Sequence, residues 1–106
     1  MKSFQDQLKS SSIISGKFDF DSNAEDLMDL DIIDKQFISC EINGGDFASS
    51  SFIGCTFDKV VIENSNMVGV SFDNCNFVDC RFLNVELSFG MKNCKINKLN
   101  VTRLKL

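Results

Sequence analysis

The sequence has no histidine, tryptophan, tyrosine or proline. Without histidine it lacks the commonest general base and metal ligand near neutral pH. No nucleophile–base arrangement replaces it, and neither GxxxxGK[ST] nor GxGxxG is present to cradle a phosphate. An enzyme is therefore not expected, and neither is a cofactor or a metal. No stretch approaches the ~20 apolar residues of a membrane span. The start, Met1-Lys2-Ser3-Phe4-Gln5-Asp6, does not read as a secretory signal. With five cysteines, an odd count, the expectation is a cytoplasmic protein with free thiols. Charge of one sign is locally missing too. Between Asp19 and Asp34 lie seven acids and no base; after Glu86 come Lys92, Lys95, Lys98, Arg103 and Lys105 and no acid. The net charge of −4 hides this polarity.

What is present in excess is phenylalanine, eleven of 106 residues, on a beat that suits neither a helix nor a strand. In "FDNCNFVDCRFLNV", residues 72–85, Phe72, Phe77 and Phe82 fall five apart, as do Cys75 and Cys80. Take the central apolar residue of each five as position i. It then runs Ile32, Phe37, Ile42, Phe47, Phe52, Phe57, Ile62, Met67, Phe72, Phe77, Phe82, Leu87. Position i−2 is small or aliphatic except at Lys35. The frame slips by one residue between Leu87 and Met91, then continues through Ile96, Val101 and Leu106. Most other positions are polar.

This pattern resembles the pentapeptide-repeat family, and "CNFVD" and "VSFDN" fit its motif well. The resemblance implies an all-β fold, a right-handed, four-sided (quadrilateral) β-helix or solenoid of about four coils. Residues 30–106 would form it. Stacking coils at ~4.8 Å would bury a continuous core that no single coil can bury alone. Phe37, Phe57, Phe77 and Ile96 would share one column, and Ile42, Ile62, Phe82 and Val101 the next. Cys40, Cys55, Cys75, Cys80 and Cys94 all fall at i−2, so they read as small buried packing residues.

Residues 1–29 read as an N-terminal cap. A short helix is expected over residues 22–29, where Ser22 and Glu25 make a capping box and Ala24, Leu27 and Met28 an apolar stripe. Phe4 and Leu8 suggest another short helix, and Phe18 and Phe20 alternate like a strand. At the other end the repeat reaches Leu104 and Leu106, leaving an apolar coil face to be covered.

Function is read by elimination as protein binding. Ile33, Ile38, Ile53, Val61, Val68, Val78 and Leu83 are outward and apolar. Of these, Ile38, Val61, Val78 and Leu83, with Leu99, Leu104 and Leu106 at the end, form the candidate interface. A homodimer through the C-terminal coil is expected, against the mutual repulsion of its cations. Small acidic bacterial members of the family resemble immunity or adaptor partners of toxins. The alternative is mimicry of DNA, as in members that act on DNA gyrase or topoisomerase. Direct nucleic-acid binding is disfavoured, because the basic end carries no aromatic interleaving.

Overall fold

The computed structural model describes residues 3–22 and 24–103. Among the described residues one helix, α1 (Phe4–Ser10), is followed by nine strands. These are β1 (Ile13–Asp19), β2 (Asp31–Ile33), β3 (Gln36–Asn43), β4 (Ser51–Ile53), β5 (Thr56–Asp58), β6 (Val61–Glu63), β7 (Asn66–Asp73), β8 (Asn76–Lys92) and β9 (Lys95–Arg103). The chain winds as a β-solenoid of about four coils.

The five-residue beat sets the winding. At each face the residues i−1, i and i+1 are extended, and the residue at i+2 turns the corner in the left-handed region. From Asp29 to Asn84 every fifth residue has φ between 51° and 75°. Strands therefore pair in parallel at a step of twenty residues: Phe37 opposite Phe57, Phe57 opposite Phe77, Ile32 opposite Phe52, Phe52 opposite Phe72. The slip expected between Leu87 and Met91 is present. Val68 faces Ser88 and Val70 faces Phe89, so Gly69 has no counterpart. The omitted residue is a corner. Beyond it the step is nineteen as far as Phe82, so that Phe72, Phe77 and Phe82 face Met91, Ile96 and Val101, and a second shift then sets Val85 opposite Arg103.

The core is a pair of ring stacks. Phe37, Phe57 and Phe77 lie 5.0 and 4.9 Å apart with planes within 6°. Phe52 and Phe72 stack at 5.2 Å. The two stacks meet edge to face, Phe52 on Phe57 at 5.4 Å and Phe72 on Phe77 at 5.1 Å. Both geometries are those that ring quadrupoles favour. Each of these rings is at most 3% exposed.

The cap continues this logic. Phe4 stacks on Phe37 at 6.1 Å and meets Phe18 and Phe20 edge-on, so the ring column is closed by α1. Strand β1 pairs in parallel with β3, Ile14 opposite Phe37 and Phe18 opposite Ile42. The Lys35 ammonium, the one cation at an i−2 position, donates to the Ser11 carbonyl at 2.7 Å.

The helix expected over residues 22–29 is absent; the described part of that segment is turn and irregular chain. Its residues are used elsewhere. Glu25 does not cap its own helix but accepts from the Phe4 and Gln5 amides at 3.2 and 3.0 Å, and Ser3 accepts from Asp6, so α1 has its first turn satisfied. The segment meanwhile follows the coil: Asp29 donates to Ala48, and Leu27 accepts from the Ser50 hydroxyl. These tertiary bonds outweigh the local helix signal. Of the apolar stripe only Leu27 is buried, while Ala24 and Met28 are exposed.

Candidate functional site

Position i−2 lies just inside each corner, where strand carbonyls converge. The thiols there are free and act as donors. Cys40, Cys55, Cys75, Cys80 and Cys94 point to the carbonyls of Ile14, Ile32, Phe52, Phe57 and Phe72, at 3.0–3.4 Å. Ser50 does the same work with its hydroxyl on the Leu27 carbonyl, whereas the Ser65 hydroxyl donates to the carbonyl of Glu63, two residues back. Cysteine at this position fills a small apolar space and satisfies a buried acceptor. Burial pushes the Cys40 thiol up to about 11 and raises Cys80 too. Cys75, sharing a hydrogen bond with the Cys55 thiol and desolvated, is also held above the ordinary thiol range. These are protonated, inert groups. Cys94 departs from the expected burial: it is half-exposed, because no described coil lies above it.

The outward residues sit in rows along the stacking direction. One row runs Ile38, Asp58, Val78, Asn97. On the adjacent side another runs Glu41, Val61, Arg81, and a third Asn43, Glu63, Leu83. Ile38 and Val78 are thus separated by a carboxylate, and Val61 lies between an acid and a base. Val78 is exposed, while Ile38, Val61 and Leu83 are half-buried. The structure brings these four onto two adjoining sides but intersperses them with charge. Ile33 and Ile53, on another side, are direct neighbours, and both are exposed.

The last coil is different. Met91, Cys94, Leu99 and Val101 are half-buried, and Ile96 is 53% exposed where Phe77 beneath it is 0%. Around them Lys92, Lys95, Lys98 and Arg103 are all exposed. Leu104 and Leu106 lie outside the described residues.

A twenty-residue parallel register, corners every fifth residue and inward small residues beside stacked rings leave one assignment. A family model described as pentapeptide repeats (8 copies) matches residues 57–88. The chain carries pentapeptide repeats. No curated protein matches the chain. The register of the matched copies extends on both sides of them, from Asp31 to Arg103.

Pentapeptide-repeat solenoids are in general structural and interaction proteins rather than enzymes. Among the described residues no group of three or more His, Cys, Asp or Glu could hold a metal ion. No helix among them is long and apolar enough to cross a membrane. One ordered polar feature escapes a reading of single positions. At one corner of the pentapeptide-repeat protein the Asn84 side-chain amide donates to Asn64 at 2.7 Å, and Asn64 donates to Asn43 at 2.8 Å. Asn43 in turn donates to Asp19 and Asp21, both at 3.2 Å. This last bond holds the Asp19 carboxyl below its ordinary range. The ladder ties the cap to three coils. Its signal in sequence is asparagine at 43, 64 and 84, visible only once the corner register is known.

Proposed function

We propose that this pentapeptide-repeat protein acts by binding another protein, as a toxin-neutralising (immunity-type) protein or an adaptor. The observation that carries the reading is the last coil, where a half-buried apolar surface and a 53%-exposed Ile96 sit inside a rim of four cations. An apolar surface with a polar rim is the anatomy of a protein interface. The lateral faces support the same class less strongly, because their apolar residues are interspersed with charge. The reading includes a reducing, cytoplasmic setting, supported by five unpaired thiols.

The test is affinity capture from the source cells with three baits: the wild type, an Ile96→Asp plus Leu99→Asp variant, and a Val78→Asp plus Val61→Asp variant. A single toxin-like protein held by the wild type and lost from the first variant supports the reading and places it at the last coil. Loss only from the second variant moves the interface to the sides. Capture of topoisomerase subunits would instead favour DNA mimicry. Capture of no protein by the wild type overturns the proposal.

A further inference from the structure

The two ends of the solenoid are finished differently. The N-terminal end is closed: α1 carries Phe4 onto the ring stack, and β1 lies against β3. At the other end β9 pairs with β8 along one edge, and no described segment pairs with its second edge. An open edge is a row of backbone donors and acceptors ready for another strand. Along β9 the side chains alternate, with Ile96 and Val101 on the core columns and Lys95, Asn97, Asn100 and Thr102 facing outward. Lys98 stands at its corner, Arg103 ends the strand opposite Val85, and Lys92 just precedes it. Lys98 reaches Asp79, one coil down, at 3.8 Å. Among the described residues no carboxylate lies within ion-pair distance of Lys92, Lys95 or Arg103.

We infer that β9 takes up a short extended segment of a partner protein in which acidic and apolar residues alternate, the segment adding a strand to its open edge. The inference rests on the protein-binding reading above and specifies the partner's chemistry. Backbone hydrogen bonds along the edge supply general affinity, and alternate side chains supply selectivity. Inward apolar residues of the added strand cover Ile96 and Val101. Its outward carboxylates meet Lys95, Lys98 and Arg103. A second copy is the weaker occupant on both of its possible approaches. Brought end to end, two basic rims oppose each other, which costs attraction and slows encounter. Brought head to tail, the open edge meets an end that α1 already occupies.

The probes are fluorescein-labelled peptides: alternating valine and glutamate, the same with lysine for glutamate, and the glutamate peptide N-methylated on alternate backbone amides. Binding to the intact protein is followed by anisotropy at low and high salt, with sedimentation run in parallel. The glutamate peptide is expected to bind, and to weaken roughly tenfold or more in high salt or in a Lys95→Glu plus Lys98→Glu variant. The lysine and N-methylated peptides are expected not to bind. Both cations are exposed, so that variant folds as the wild type does, which circular dichroism checks. Equal binding of the glutamate and lysine peptides, unchanged binding after N-methylation, or no binding at all overturns the inference. So does a dimer in sedimentation that the Ile96→Asp change dissolves, which assigns the edge to a second copy. Peptide binding with no cellular partner captured would sink only the functional reading. A captured partner indifferent to the β9 variants would sink only this one.

Discussion

Phe77 sits in the middle of a ring column, 4.9 Å from Phe57 and directly below Ile96. Neighbouring rings on both sides and parallel backbone above and below leave nothing free to collapse into the space it fills. Phe77→Ala should cost ~3–5 kcal/mol, among the largest single-residue losses, and lower the melting temperature accordingly; an unchanged midpoint would contradict the column. The thiols allow a finer test. Cys40 is raised to about 11 when folded, so the folded chain holds this proton where the unfolded chain has lost it. Its contribution to stability is complete below the unfolded thiol range and disappears as pH rises towards 11. Melting between pH 9 and 11 should show a steeper loss for wild type than for Cys40→Ala, by at most ~1.4 kcal/mol per pH unit. Labelling of native protein with a thiol reagent should modify Cys94 first and leave Cys40, Cys55, Cys75 and Cys80 until unfolding; early labelling of Cys75 would contradict its burial. The inward assignment of these residues was legible in the five-residue spacing. The reason for cysteine over alanine or valine was not, because the carbonyl each thiol satisfies lies 22 to 26 residues away.

The corner is the element that makes the fold, and its sequence signal was weaker than that of the core. At i+2 stand Asp34, Ser39, Gly44, Ser49, Gly54, Lys59, Asn64, Gly69, Asn74, Asp79 and Asn84, all with positive φ. Gly, Asn and Asp tolerate that region and others pay in strain. Lys59, at φ 56°, is the bulky exception before the slip. Lys59→Gly should relieve a left-handed cost of ~1–2 kcal/mol against ~0.5–1 of added chain entropy, for a small net gain. Gly54→Ala should destabilise by ~1–2 kcal/mol or more, since its Cβ would also run into the Asp34 carboxylate. Chemical denaturation of the pair measures both; the same sign for both changes would contradict the corner account. The cap helix shows the opposite failure of legibility. Ser22 and Glu25 carried a strong local signal for a helix that does not form, because Glu25 has distant amides to serve at Phe4 and Gln5. Phe4 and Leu8 carried a weak signal for the helix that does.

At the scale of the molecule, the chain separates acid from base along its axis, and this was plain in the sequence. The asymmetry of finish, a capped end and an apolar coil face left at the other, was legible too; what the sequence did not convey was which element closes the capped end. That depends on α1 folding back over the first coil, a contact between residues that share no local pattern. The lateral interface was less legible still. Ile38, Val61, Val78 and Leu83 are apolar by type, but only the twenty-residue register reveals the Asp58, Glu41 and Arg81 that stand beside them.

That register has an implication for how such a molecule can change in length. Residues 56–75 make one complete circuit, entering opposite Gln36 and leaving opposite Asn76 and its successors in the same phase. A gene in which this circuit is copied in tandem should encode a longer prism, extended by ~4.8 Å, with its plug, its rim and its nineteen-residue terminal step untouched. Doubling residues 56–75 should therefore yield a protein that melts higher and scatters as a longer particle. Doubling residues 56–65 alone would carry every later column half-way round the axis, seat Met67 above Phe57 instead of Phe47, and should not fold cooperatively. The molecule is in this sense a measured spacer. The distance between its ends can be reset in whole circuits without redesigning either end.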